Sequence, residues 1–508
     1  MMRCLRLIFA ALMLWLIPAS GLGQSLSDGI RSESEHFVLT SEAPLDGRAL
    51  LSDLEAFRLA VAADLGLPEV RQEPLRLNLI GDPDMFGALA PVGAAGIYQQ
   101  SAVSNDVIIA FDPRPGQPLS MALELDWLRL ILRHETVHHL IRTRYPRKLP
   151  IWLEEGLAEY YASYQRGPDG GAQFGRALPG QEVPSPTQDW LPLRTVIESL
   201  SHYPDFGPTG QTPTRAHRLY YGQSWALANF IMAQPDGLTQ VHQFLDGWSR
   251  GGDSEDSFER AFGLSYAPLE AALRRRAADA QPAQPDALGP PTHIVVETTR
   301  ADRTMLLRNR LRLLMTHGQA GAGGRIGALD AQLGSAADTL DLDLARSLYG
   351  WRIKNWSASL TAADSALAKH PGNARALKMR AKATFGRLSE RQDLAPLWDA
   401  AEIAALQALA VRPDDPELHL FHVATSMPTD IRMTPNVRVS LDWLQTHRIH
   451  LRLPHASMLT IPALIYEDRL DQADAVINSA ARWASEAADI VEVKRRRSQV
   501  AAKRAGAR

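Results

Sequence analysis

Apolar residues recur along this chain with two different periods. In the first hundred or so residues the period is mostly two. Leu75, Leu77 and Leu79 alternate with polar neighbours and predict a strand over 75–80. Glu35 to Thr40 reads as an earlier strand. Val107 to Phe111 reads as a later one, in a hairpin with 93–100 across Ser104-Asn105-Asp106. Between the first two, Leu50, Leu51, Leu54, Phe57, Val61 and Leu65 mark one face of a helix over 46–65, stopped by Gly66. Gly81-Asp82-Pro83-Asp84 reads as a turn. From Met121 the period becomes 3.6. Leu123, Trp127, Leu130, Ile131, His134, Val137, His138 and Ile141 share one stripe, and no Pro or Gly interrupts before Tyr145. That predicts a helix whose histidines face inward. Further helices are expected over 149–161, 218–232, 238–248, 254–262 and 266–276, with a Gly- and Pro-rich loop over 167–186.

Residues 277–291 are rich in Ala, Pro and Gln with almost no large apolar side chains, so a linker is expected over 277–299. Nearly everything from 300 to 508 reads helical. Ser365 to Leu377 and Leu406 to Leu418 each contain a helix end, a Pro turn and a new helix, and their prolines Pro371 and Pro413 stand 42 apart. A third such hairpin is expected from Ala463, with Asp471-Gln472-Ala473 after its turn. This pattern resembles degenerate tetratricopeptide repeats, in which helix pairs stack into a solenoid.

A length of 508 residues is more than one ordinary domain and fits roughly two to four. The net charge of −3 carries no basic footprint for nucleic acid. Lys494 to Arg497 and Lys503-Arg504 read as a solvated helix end rather than a binding arm. At the start, Arg3 and Arg6 precede an apolar run from Leu7 to Ile17, too short to span a bilayer comfortably. Pro18 to Gly23 supplies a break and small residues. Residues 1–23 therefore read as an export signal cut near Gly23, and no other stretch approaches a membrane span. The single cysteine, Cys4, lies inside that signal, so the mature protein is expected to lack disulfides. A periplasmic or secreted protein is expected.

The chemistry concentrates in His134-Glu135-Thr136-Val137-His138, the pattern HExxH. On a helix, His134 and His138 share a face one turn apart and can hold one zinc ion. Glu135 sits roughly 100° round the helix, placed to handle a water without ligating the metal. The competing reading is an amphipathic helix that carries two core histidines. A catalytic zinc needs a third protein ligand, and Trp152 to Tyr160 (WLEEGLAEY) offers it after a return through Tyr145-Pro146. Glu154 and Glu155 compete for the role. Glu155 shares its helical face with Glu159, whose carboxylate can take the free N–H of a ligand histidine, so Glu155 is favoured as ligand and Glu159 as its support. Glu154 otherwise reads as a solvated carboxylate at a helix start. His36, His139, His202 and His242 have no partner in the sequence and read as ordinary histidines.

HETVH followed by WLEEGLAEY resembles the glutamate-zincin (gluzincin) metallopeptidases. Relatives of the aminopeptidase N type carry HExxH and then WLNEGFA, whose glutamate before glycine is the third ligand and corresponds to Glu155. Thermolysin-like members carry an acidic residue four further on, which corresponds to Glu159. The resemblance is strongest to bacterial peptidase-MA-like proteins, some of which end in tetratricopeptide repeats. It covers about residues 30 to 250 and is closest over 134 to 160. Tyr221-Gly222-Gln223-Ser224 is similar to the Tyr-x-Lys-Gly segment of the aminopeptidases, which implies that Tyr221 stabilises an oxyanion. Gln223 and Ser224 depart from that pattern, and Tyr220 and His217 are neighbours that could serve instead. The Gly-Ala-Met-Glu-Asn strand that grips a free amino group in the aminopeptidases is missing, so amino-terminal trimming is not implied. Either 107–111 or 96–99 is expected to be the edge strand for an extended peptide.

Together these readings lead to an expected α+β zincin-like catalytic domain over 24–276 and an all-α tetratricopeptide-like domain over 300–508. The expected function is zinc-dependent hydrolysis of peptide or protein substrates. His134, His138 and Glu155 would hold one Zn²⁺, Glu135 would act as general base and Tyr221 would serve the oxyanion. A protein partner is expected on the helical repeats. Two rivals stand beside this: an inactive zinc-binding interaction module of the cell envelope, and a hydrolase of non-peptide amides.

Overall fold

The computed structural model describes residues 29–506, apart from 70–72, 92–93, 112–117, 168–170, 179–189, 201–214, 250–251, 279–293, 391–394, 426–432 and 485. Residues 1–23, where an export signal is expected, His202 and most of the expected linker lie outside the described residues. Among the described residues no helix is long and apolar enough to cross a membrane. The chain divides into two compact units that meet in sequence at Leu306 and Leu307.

The first unit is mixed α+β. Its sheet has six strands, β1 (Gly29–Glu33), β2 (Phe37–Ser41), β3 (Leu75–Ile80), β4 (Gly96–Gln100), β5 (Asn105–Ala110) and β8 (Glu297–Ala301), in the order β4-β5-β3-β2-β1-β8. The β2–β3 and β3–β5 pairs are parallel and the others antiparallel. Helix α1 (Gly47–Asp64) is capped by Asp46, whose carboxylate accepts from the Ala49 amide at 3.0 Å, and it gives way at Gly66, where φ is +60°. A one-turn helix α2 (Pro83–Gly87), capped by Asp82, stands where a turn was expected.

Beyond β5, α3 (Pro118–Arg144) and α4 (Ile151–Ala162) form an antiparallel return. A two-strand ribbon, β6 (Gln165–Arg166) and β7 (Ala172–Gln173), follows. The helices α5 (Leu193–Ile197), α6 (Arg215–Met232), α7 (Gly237–Ser249), α8 (Ser254–Phe262) and α9 (Tyr266–Ala278) complete the unit.

Helix α3 joins two cores. Leu128 and Leu132 pack with Leu39, Leu77, Val107 and Ile109 over the sheet. Val137, Leu140 and Ile141 pack with Trp152, Leu157, Tyr220, Trp225 and Phe244 in the helical cluster. The expected single inward stripe is therefore too narrow a description. From Leu132 to Ile141 every residue except His134 is buried.

Two sequence expectations change here. Val107 to Phe111 is an inner segment, flanked by β3 and β4, whereas β4 is the edge. A continuous apolar run covered on both sides is what an inner strand requires. The linker also ends earlier than 299. Ile294 and Val296 pack on the sheet core and β8 pairs with β1, so residues 294–301 belong to the first unit.

The second unit is all helical. Helices Leu340–Arg352, Trp356–Lys369, Ala374–Glu390, Ala395–Val411 and Pro416–Thr425 each pack on the next. Their contacts are lined with small residues, among them Ala363, Ala366, Ala376, Ala404 and Ala408. The turns at 370–373 and 412–415 fall where the Pro signals placed them, and Ile461–Tyr466 and Leu470–Trp483 form the third hairpin.

Candidate metal centre

Helices α3 and α4 bring three donor groups to one point. His134 Nε2 and His138 Nε2 lie 3.2 Å apart. Glu155 Oε2 lies 3.3 Å from the first and 3.5 Å from the second. Donors bound tetrahedrally at zinc distances of about 2.0–2.1 Å stand roughly 3.3–3.4 Å from each other. The triangle matches that edge length. Among the described residues this is the one group of three or more His, Cys, Asp or Glu side chains arranged to hold a metal ion.

The protonation of the metal-free site follows from the same geometry. Burial works against charge on the His134 ring, but Glu155, Glu135 and Glu159 outweigh it and raise the ring to about 9. Burial also opposes the Glu155 charge, yet His138 and His134 hold its carboxyl well below the usual carboxylate range. A carboxylate facing two imidazoles retains a positive charge at this point, as a proton when no metal is there. A divalent cation with two neutral imidazoles satisfies the same field.

The outer groups are less uniform. Glu159 Oε1 stands 3.7 Å from His134 Nδ1, an ionic contact longer than a hydrogen bond. Burial and the nearby Glu155 raise its carboxyl. His138 Nδ1 is buried with no hydrogen-bond partner among the described residues. Glu154 turns away from the triangle, and its Oε2 accepts from Arg142 Nε at 3.0 Å. The competition between the two glutamates is thus resolved by direction. Glu154 is also buried, at 7% exposure, which corrects its reading as a solvated carboxylate.

Glu135 is buried against the edge strand. A methyl group on Gly96 of β4 would stand 3.6 Å from Glu135 Oε1 and 2.5 Å from the Ile131 side chain, so glycine lets the strand come this close. Tyr98 on the same strand holds His139 Nδ1 at 3.3 Å. Burial, with Arg144 and Arg58 near, pushes His139 down to about 3, leaving it neutral. His36 pairs with Glu55 and His242 with the Tyr145 hydroxyl, both at 2.8 Å, so neither joins the cluster.

Tyr221 is half-buried on α6, one turn before the point where α6 crosses α4. At that crossing Gly156 meets the Ser224 carbonyl so closely that a Cβ would stand 2.2 Å from its oxygen. Tyr220 points elsewhere. It is fully buried and its hydroxyl is 2.6 Å from Ser199 Oγ. His217 lies one turn before Tyr221 on the same helix.

The sequence reading missed the brace behind the site. Arg133 forks onto Asp53 of α1 at 2.7 and 3.2 Å, donates to the Tyr164 carbonyl at 2.9 Å and lies over the Phe57 and Tyr164 rings. An arginine directly before the first candidate ligand histidine was the available signal. Its partner, eighty residues earlier, was not legible locally.

The chain matches no family model, no curated protein and no solved structure.

Proposed function

We propose that this protein is an exported zinc metallopeptidase of the glutamate-zincin type. On this reading the first unit is zincin-like and the helical unit is a tetratricopeptide-like module for a protein partner. The observation that carries the reading is the triangle of His134 Nε2, His138 Nε2 and Glu155 Oε2, with sides of 3.2, 3.3 and 3.5 Å, beside the buried Glu135. His134, His138 and Glu155 hold the ion. When bound, zinc supplies Lewis-acid activation of water and of the scissile carbonyl.

Glu135 takes the proton from the attacking water and passes it to the leaving amine. Its position against Gly96 puts this proton transfer beside β4, the edge strand that no further strand pairs among the described residues, where an extended peptide would add by main-chain pairing. Glu159 orients the His134 ring. Tyr221 donates to the developing oxyanion. Tyr220 is unsuited to that task because Ser199 already engages its hydroxyl inside the core.

The test is Glu135→Gln. The variant should bind one zinc per chain, as wild type does, and lose peptide hydrolysis by roughly 10²–10⁴. Hydrolysis that continues undiminished, or a wild-type protein that takes up no zinc, would defeat the proposal.

A further inference from the structure

Helix α3 carries a third polar side chain in line with its two ligand histidines. His134, His138 and Arg142 follow at four-residue intervals, one turn each. Arg142 has 40% of its side chain in solvent, whereas its partner Glu154 has 9%. The guanidinium is fixed from one side only. Its Nε donates to Glu154 Oε2 at 3.0 Å, and its centre lies 5.7 Å from the Tyr98 ring of edge strand β4. Glu155 of the donor triangle acts on it electrostatically. Among the described residues no hydrogen bond engages Nη1 or Nη2.

A tie between α3 and α4 alone would not need this arrangement. A lysine could bridge to Glu154 as a point charge. An arginine held through Nε presents its two terminal nitrogens as a fork of fixed direction, and such a fork fits a carboxylate with two parallel bonds. The buried Glu154 orients the fork without occupying it. Tyr98 sets the fork beside the edge strand, and the helix sets it one turn from His138.

We infer that Arg142 binds a carboxylate of the substrate, so that the site selects peptides with an acidic group next to the bond being cut. That group is either an acidic side chain or the peptide's own terminal carboxylate. The inference rests on the metallopeptidase reading above for its setting.

The experiment uses zinc-loaded Glu135→Gln protein and three matched peptides labelled at the amino end: a neutral amide, the same amide with one Glu for Gln, and the neutral peptide with a free carboxyl end. Affinity is read by fluorescence anisotropy at low salt. One acidic peptide should bind about tenfold tighter than the neutral amide, the equivalent of one charge-assisted contact. Which one does so identifies the source of the carboxylate. Adding Arg142→Gln should bring the ratio to within about twofold, and Arg142→Lys should keep part of it, because the charge remains.

Equal binding of all three peptides, no binding of any, or a preference that survives Arg142→Gln overturns the inference. Failure of the metallopeptidase reading is separately visible. Wild-type zinc protein would then cleave none of the peptides, while the binding ratio would still decide the role of Arg142.

Discussion

Gly156→Ala is the sharpest probe of how the fold holds the site. Gly156 follows Glu155 directly and faces the α6 backbone. In an exposed helix the change to alanine would stabilise by about 1 kcal/mol through helix propensity. Here the new Cβ would stand 2.2 Å from the Ser224 oxygen, 2.7 Å from its carbonyl carbon and 3.0 Å from Ala228 Cβ. Two of those atoms are backbone and cannot rotate away. Restoring normal contact requires α4 and α6 to part by about 1 Å. Overpacking of this kind costs about 1–3 kcal/mol, which offsets or exceeds the propensity gain. Each net kcal/mol lost should lower the melting temperature of this unit by roughly 2–4 °C. The functional effect should be larger than the thermal one. A shift of about 1 Å in a reacting group costs on the order of 10² in rate. Zinc affinity, melting temperature and peptide hydrolysis are the three readouts. Gly87→Ala, where nothing stands within 4 Å, is the control. A Gly156→Ala protein that melts at or above wild type and cleaves at its rate would refute the backbone contact and the dependence of Glu155 on it.

Three further outcomes are expected. Asp53→Asn leaves the buried Arg133 guanidinium without its carboxylate and should cost about 3–5 kcal/mol in urea unfolding, with much of it recovered in Asp53→Asn plus Arg133→Met; a loss under about 1 kcal/mol in the single variant contradicts a buried, coupled pair. Glu159→Gln should weaken zinc binding about 10–100-fold in a chelator competition, and unchanged affinity would remove it as the support of His134. The helical unit should be acid-sensitive through His422, whose Nδ1 lies 2.8 Å from Ser440 Oγ and whose ring burial pushes down to about 4. The unfolded chain takes up a proton near 6.5 and the folded one near 4, so this stability is present above 6.5 and is lost as pH falls. The loss should reach about 2 kcal/mol by pH 5 and be absent in His422→Asn.

The parts of the fold that were legible in the sequence are those set by local period. Strand 75–80 and helix 254–262 fall where the apolar pattern put them. The donor triangle was legible for the same reason, because helical phase sets His134 beside His138 and Glu155, rather than Glu154, in line with the carboxylate of Glu159. What escaped depends on distant partners. Strands β1 (GIRSE) and β8 (ETTRA) carry almost no apolar alternation, and β8 is exposed at four of its five positions. Only their pairing makes them strands. The Arg133–Asp53 fork joins two helices whose proximity no local pattern encodes. Arg142 was within reach, since the four-residue step that selected His138 leads on to it.

The pairing of β1 with β8 closes a long circuit. Gly29 sits opposite Ala301, so residues 34 to 296, with the whole donor triangle, are enclosed between two neighbouring strands. During synthesis the helices that carry the donor triangle emerge well before the sheet can be finished. A fragment ending at 276 would leave the β1 edge bare and open to pairing with another chain. Any attempt to isolate the first unit should therefore run through at least Ala301.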